Sequence, residues 1–168
     1  MTILETAHLR IREFRDDDLE DIFRMMSDPD IMRYIRAPDS ERDVVRERMV
    51  NWAKYHAEHP KLGVFVLENR EDSRFAGYCV IRHVDFTPGN DLEVGYALAP
   101  EYTGKGLATE AAAGMTDYLY REMQAEKVVA FTDPANVASQ RVLEKCGFQR
   151  AGTRKIYDGE SVVFEHYK

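Results

Sequence analysis

Residues 92 to 132 contain two short apolar segments, a glycine-rich turn and a long helical segment, in an order that leaves few possible folds. Leu92–Ala99 and Lys127–Thr132 are predicted strands, and a helical pattern runs between them from about Lys105 to Met123. Strand, helix and strand in succession form a crossover unit whose two strands are parallel. We therefore expect strands 92–99 and 127–132 to be parallel neighbours.

Apolar periodicity predicts the remaining elements on both sides of this unit. Predicted strands occupy Leu9–Phe14, Leu62–Glu68, Phe75–Phe86, Phe148–Arg154 and Ser161–Tyr167, and predicted helices occupy Asp16–Met26, Ser40–His59 and Asn136–Gly147. The last two strands form a predicted hairpin around Asp158-Gly159, and Thr87 to Asn90 form a turn. The order predicts one α+β domain over residues 1–168, a three-layer α/β/α sandwich. Its central sheet is mixed, mostly antiparallel and of about seven strands, with helices on both faces.

Capping residues are predicted for three of the helices. Asp16 or Asp17 is expected to cap the first helix, and Ser40 with Asp43 resembles a capping box for the second. Asn136 has the spacing of an N-cap residue for the last helix, with Ser139 at the third helical position.

The charge and cysteine content exclude several functional classes. The formal net charge of -7 argues against a protein that binds nucleic acid through bulk charge, and it is compatible with cationic substrates. No apolar run approaches a membrane span and no signal peptide is visible, so no membrane partner is expected. The two cysteines lack a Cys-x-x-Cys spacing, which favours a reducing, cytoplasmic location.

The segment Gly104-Lys105-Gly106 is a candidate anion-binding site. It follows a predicted strand and opens a helix, where unpaired backbone N–H groups and the helix dipole attract phosphate. A Walker loop would need an earlier glycine and a hydroxyl after the lysine, and a Rossmann fingerprint would need glycine in place of Thr109. On the glycines alone, a tight strand-to-helix turn without a ligand is an equally good interpretation.

A second motif narrows the interpretation. The stretch from Asn136 to Phe148 reads Asn-x-x-Ser-x-x-Val-Leu-Glu-Lys-x-Gly-Phe, and residues 104–111 read Gly-Lys-Gly-Leu-Ala-Thr-Glu-Ala. Together the two segments resemble the coenzyme A motifs of the Gcn5-related N-acetyltransferase (GNAT) superfamily, and in detail its RimJ/RimL-like branch. The resemblance extends over nearly the whole chain. It implies an acetyl-CoA-dependent N-acetyltransferase that needs no metal.

The resemblance also implies positions for the cosubstrate. Backbone amides of the glycine loop would bind the pyrophosphate, and these residues are Thr103, Gly104, Lys105, Gly106, Leu107, Ala108 and Thr109. Strand 92–99, with Val94, Ala97 and Leu98, would pair with the pantetheine arm and diverge from strand 127–132 to leave a cleft. Asn136 would hydrogen-bond the pantetheine arm or the thioester end; it also fits a helix cap, which does not exclude contact with the cosubstrate. Arg141 would meet the 3′-phosphate or, with Lys145, belong to a solvated helix face.

Two residues are candidates for catalysis. Glu93 matches a glutamate common in this branch and could deprotonate the acceptor amine, or it is only a surface strand residue. Ser139 could protonate the leaving thiolate or only cap a helix. Asp91 and Asp85 are weaker candidates for the base.

The acceptor is an amine whose identity the motifs leave open. The branch includes enzymes for protein N-termini, notably of ribosomal proteins, and enzymes for small amines. Glu101, Thr103 and Ala97 depart from the family's usual residues, which bears mainly on the acceptor site. The expected acceptor region is residues 27–60 and 154–163. A non-catalytic acyl-CoA-binding or sensing domain and a nucleotide-binding domain are the alternatives, and the protein is expected to be a monomer or homodimer.

Overall fold

The computed structural model describes residues 1–87, 89, 91–156 and 159–168. Its helices are α1 (Leu19–Ser27), α2 (Pro29–Met32), α3 (Arg42–Glu58), α4 (Leu107–Glu122) and α5 (Val137–Lys145). Its strands are β1 (Thr2–Glu5), β2 (Leu9–Glu13), β3 (Gly63–Asn69), β4 (Phe75–His83), β5 (Leu92–Leu98), β6 (Lys127–Thr132), β7 (Gln149–Ile156) and β8 (Gly159–Tyr167). The predicted elements are all present, but the turn at 87–90 and the tip at Asp158 include residues outside the described ranges.

The described strands form one eight-stranded sheet in the order β1-β2-β3-β4-β5-β6-β8-β7. All neighbouring pairs are antiparallel except β5 and β6, which are parallel as the crossover unit predicts. The additional strand is β1, which was absent from the sequence prediction. It is a four-residue edge strand that pairs with β2, so tertiary pairing and not a long apolar pattern defines it.

Helices cover both faces of the sheet. Tyr78 of β4 lies opposite Ala97 of β5, and Tyr96 lies opposite Cys79, so the two tyrosines point to opposite faces. The hydroxyl of Tyr78 contacts the sulfur of Met32 in α2, whereas that of Tyr96 contacts Ser139 in α5. Since α1 packs on α2 and α3, and α4 packs on α5, the structure is the predicted α/β/α sandwich.

Two predicted caps are wrong. The 3₁₀ turn that precedes α1 begins after Arg15, whose backbone N–H donates to the Asp18 carboxylate, so neither Asp16 nor Asp17 caps it. Helix α3 begins after Glu41 and has no side-chain cap hydrogen bond, so the Ser40–Asp43 box does not form. The first of these starts lies one residue before the predicted caps, and the second lies one residue after the predicted cap.

A buried ion network joins β2 to β3 and to the start of α1. Arg12, only 6% exposed, donates from Nη1 and Nη2 to the two carboxylate oxygens of Asp18 and from Nε to Glu68. Burial disfavours the charged form of Glu68, but hydrogen bonds from Arg12 and Arg10 outweigh it and lower the pKa of this carboxyl group. The network thus anchors the turn before α1 to β2 and β3.

Candidate functional site

The glycine loop connects β5 to α4 and presents its backbone to solvent. Gly104 and Gly106 have φ angles of 73° and 80°, a left-handed conformation that other residues adopt at a cost. A Cβ atom added at either glycine would meet no other heavy atom within 4 Å, so open space lies beside the loop. The loop leads directly into the sixteen-residue helix α4, whose first N–H groups lack helical partners. This arrangement fits a bound pyrophosphate.

A cleft opens between β5 and β6 next to this loop. In the described chain the two strands pair only at Leu92 with Val128 and at Glu93 with Val129. Beyond these pairs β5 stays paired with β4 and β6 with β8, so the divergence is confined to the β5–β6 boundary. The backbone of Val94–Leu98 therefore faces the cleft, as the resemblance implies for the strand that binds pantetheine. At the far end of β6, Thr132 Oγ1 is buried and has no hydrogen-bond partner among the described residues.

The start of α5 brings two hydroxyl groups together at the cleft. Asn136 Oδ1 accepts a hydrogen bond of 3.2 Å from the Ser139 backbone N–H, so Asn136 is the predicted N-cap. The Ser139 side chain takes no part in this cap; its Oγ lies 3.3 Å from the hydroxyl oxygen of Tyr96. Burial raises the pKa of Tyr96 to about 12, so this phenol stays protonated at neutral pH.

The three carboxylates that were considered as the base lie in different environments. Glu93 is 7% exposed, and its carboxylate accepts from Arg82 Nε at 2.8 Å. Asp91 forms an ion pair of 2.9 Å with Lys127. Asp85 is exposed on the loop after β4. Of the three, Glu93 lies on β5 where the cleft begins, on the sheet face that carries α1, α2 and α3.

A cavity of about 350 Å³ lies on that same face. Its walls come from α3, from β3 and β4, and from the loop after β4, with Arg82 among the lining residues. Sequence reasoning placed the acceptor region in residues 27–60 and 154–163. The α3 part of that region lines this cavity, whereas Met32–Pro38 are absent from its described lining.

The predicted cosubstrate residues are distributed around the loop and cleft. Thr103, Gly104, Lys105 and Gly106 are exposed, whereas Val94, Ala97 and Leu107 are buried. Leu98, Ala108, Thr109, Asn136 and Ser139 are partly buried, and Arg141 is exposed on α5. Tyr102 is buried, with its ring 5.6 Å from Lys105 Nζ.

Three polar residues of the site were missed by sequence reasoning: Tyr96, Thr132 and Arg82. The alternation of β5 places Tyr96 and Glu93 on opposite faces, but only the packed position of α5 brings Ser139 to Tyr96. Arg82 was missed because only the register of β4 against β5 places it opposite Glu93.

Within the described residues, no group of three or more His, Cys, Asp or Glu side chains could hold a metal ion. The two cysteines are free, and burial raises the pKa of both thiols. None of the described helices is long and apolar enough to cross a membrane.

Comparison with known proteins identifies the family. Residues 8–149 match the family model described as "Acetyltransferase (GNAT) domain". The chain is 31% identical over 165 residues to "Uncharacterized protein YkkB" of Bacillus subtilis (strain 168), covering 98% of this chain and 95% of the relative.

Solved structures share the fold. The ribosomal L7/L12 α-N-protein acetyltransferase RimL in complex with coenzyme A has a TM-score of 0.83 at 13% identity, covering 99% of this chain and 98% of that one. Spermidine N-acetyltransferase from Vibrio cholerae, in complex with CoA and spermine, has a TM-score of 0.78 at 20% identity, with 96% of each chain covered. With the motifs, the loop and the cleft in their expected places, the chain belongs to the GNAT family and is an acetyl-CoA-dependent N-acetyltransferase.

Proposed function

We propose that this enzyme acetylates a primary amine by direct attack on the thioester, with Glu93 as the base and Ser139 as the acid. The observation that supports this most strongly is the position of Glu93 on β5 and of Ser139 on α5, next to the same strand. Glu93 and Tyr96 point to opposite faces of the same strand, where the β5–β6 cleft begins. Tyr96 contacts Ser139, so a proton acceptor and a proton donor flank one cleft.

Acetyl-CoA supplies the acetyl thioester. The acceptor nitrogen forms a bond to the acyl carbon, the carbon–sulfur bond breaks, and the pair of electrons goes to sulfur. The proton lost by the nitrogen goes to the Glu93 carboxylate, directly or through water. The thiolate receives its proton from the Ser139 hydroxyl. No covalent enzyme intermediate is needed, and alignment of the two reactants contributes much of the rate.

The surrounding residues orient these groups. The Arg82 guanidinium, 2.8 Å from Glu93, fixes the direction of the carboxylate. The phenol of Tyr96 can donate to Ser139 Oγ, which orients the hydroxyl and can return a proton to it after transfer. Asn136 holds the first turn of α5 and therefore the position of Ser139. The loop from Thr103 to Thr109 is assigned to the pyrophosphate, and Val94, Ala97 and Leu98 to the pantetheine arm.

The acceptor belongs to one of two classes, a protein N-terminus or a small amine. Structural neighbours of both kinds share the fold, since one acts on ribosomal L7/L12 and another on spermidine. We further propose that the reaction takes place in the cytoplasm.

A thiol-release assay with acetyl-CoA and an amine panel tests the proposed function. We expect thiol release that depends on both substrates, together with an acetylated amine of the expected mass. A thermal-shift measurement run in parallel should show stabilisation by CoA and none by ATP. Stabilisation by CoA without turnover of any amine would instead support a non-catalytic binding domain.

A further inference from the structure

The cavity on the α3 side of the sheet is lined mainly by apolar side chains. Helix α3 forms one wall and strands β3 and β4 form another, both with aromatic or aliphatic side chains. The loop that follows β4 forms the third wall. The apolar lining residues are Trp52, Tyr55, Val64, Val80, Val84 and Phe86. Such a lining stabilises the carbon skeleton of a ligand by removing it from water.

One wall of the cavity adjoins the proposed base. Val80 and Arg82 of β4 line it, and their β5 partners in the sheet register are Gly95 and Glu93. Arg82 joins the lining directly to the Glu93 carboxylate through their 2.8 Å ion pair. Phe86, another lining residue, packs against Phe131 of β6 with ring centroids 5.4 Å apart, so the lining also contacts the strand on the other side of the cleft. Glu93 itself is absent from the described lining, so the nitrogen of a ligand seated here reaches the carboxylate beside Arg82.

The charges of the lining disfavour an acceptor with several ammonium groups. Among the described lining residues Asp85 is the carboxylate, and it lies exposed on the loop. The guanidinium of Arg82 is already paired with Glu93, and Asp91 is already paired with Lys127. A second ammonium group would lose its hydration against apolar walls without a buried anion to replace it.

The cavity is also small for a polypeptide. Its volume of about 350 Å³ is near the lower end for ligand pockets, which span roughly 300–1,000 Å³. Several residues of an extended N-terminal segment would need a longer groove with backbone hydrogen-bonding groups.

We propose that the acceptor is a small primary monoamine with an apolar aromatic or branched aliphatic body, bound in this cavity with its nitrogen toward Glu93. This rests on the proposed function, because it names the substrate class of the same site. Trp52 and Tyr55 then act as specificity residues that contact the body of the amine.

The test compares kcat/KM for 2-phenylethylamine, ethylamine, spermidine and a hexapeptide with a free N-terminus, each with acetyl-CoA. We expect 2-phenylethylamine to exceed the other three by about tenfold or more, the scale of a few buried apolar groups. A higher value for spermidine or for the peptide would overturn the monoamine assignment and leave the acetyltransferase function intact.

Two variants test the location. Val64→Phe fills the cavity from β3, and should lower kcat/KM for 2-phenylethylamine about tenfold while changing that for ethylamine much less. Trp52→Ala should raise KM for 2-phenylethylamine, whereas Val50→Ala, on an exposed position of the same helix, serves as the matched control. Equal losses for both amines in Val64→Phe would overturn the location. If no amine releases thiol, the proposed function fails and the substrate class fails with it.

Discussion

The Tyr96 hydroxyl oxygen lies 3.3 Å from Ser139 Oγ, and this pair joins strand β5 to the first turn of α5 across the edge of the cleft. Tyr96 is partly buried, and burial raises its pKa to about 12, so its hydroxyl keeps its proton at neutral pH and either hydroxyl can be the donor in this contact. The contact gives Ser139 a partner that a simple helix cap would not require.

Removal of either hydroxyl should slow acetyl transfer. We expect Ser139→Ala to lower kcat about a hundredfold, within the usual range for loss of a general acid. Tyr96→Phe should lower kcat by a smaller factor, because the phenol acts through Ser139. The double variant should be no slower than Ser139→Ala alone, since both changes remove one pathway.

Steady-state kinetics at saturating acetyl-CoA provide the measurement for this pair. Tyr167→Phe, which removes an exposed hydroxyl on β8, is the matched control and should retain full activity. Independent, additive losses from the two substitutions would show that the hydroxyls do not act together.

Loss of the Glu93 carboxylate should reduce the reaction with the amine more than binding of acetyl-CoA. We expect Glu93→Gln to lower kcat/KM for the amine about a hundredfold at pH 7, because glutamine cannot accept the proton. The loss should shrink as the pH is raised toward the pKa of the amine, near 10.4 for a lysine-like amine. Glu47→Gln, an exposed position on α3, is the control. A pH-independent loss would argue that Glu93 has only a structural role with Arg82.

Gly106 should be required for its backbone conformation. At a φ of 80°, alanine costs about 1–2 kcal/mol of strain although its Cβ meets no atom within 4 Å. We expect Gly106→Ala to raise KM for acetyl-CoA about tenfold, as the loop relaxes and its amides lose their alignment. Gly159→Ala, whose added Cβ also lies in open space, is the matched control. An unchanged KM would remove this loop from the pyrophosphate site.

Gly77 of β4 should be essential for stability and not for chemistry. A Cβ at this position would lie 2.1 Å from the Ala97 carbonyl oxygen, a backbone atom that cannot move without disturbing β5. We expect Gly77→Ala to lower the free energy of unfolding by about 1–3 kcal/mol or more in urea titrations. Gly159→Ala again serves as the reference, and equal stability of the two variants would contradict the close approach of β4 and β5.

The ion network around Arg12 should make stability depend on pH through Glu68. The pKa of Glu68 is lowered in the folded protein, so its contribution is fully present above the unfolded value of about 4.3 and is lost as the pH falls through the folded value. The gap in unfolding free energy between the wild type and Glu68→Gln should therefore stay constant from pH 7 to about 5.5 and narrow below about 4.3. Urea titrations across this range measure the gap, and a gap that widens on acidification would contradict the lowered pKa.

The sequence was sufficient for most elements and for the glycine-rich turn between β5 and α4. The crossover unit, the glycines and the Asn136 cap are local features, because a few adjacent residues determine strand alternation, left-handed turns and helix starts. The caps at Asp16 or Asp17 and at Ser40 failed for a related reason. Several polar residues near each helix start can serve as caps, but tertiary packing sets where the helix begins, and at both places the residue at the start makes no side-chain cap hydrogen bond.

The sequence by itself determined the family, the βαβ unit and the glycine-rich turn that opens α4, since motifs and periodicities within single segments of the chain indicate them. The tertiary structure alone decided which side chains meet across the sheet, including Tyr96 with Ser139 and Arg82 with Glu93. Those pairs depend on the strand register and on the packing of α5. Both are set by contacts throughout the core, so no local sequence pattern indicates them. The same holds for the cavity beside α3, whose walls come from segments far apart in the chain.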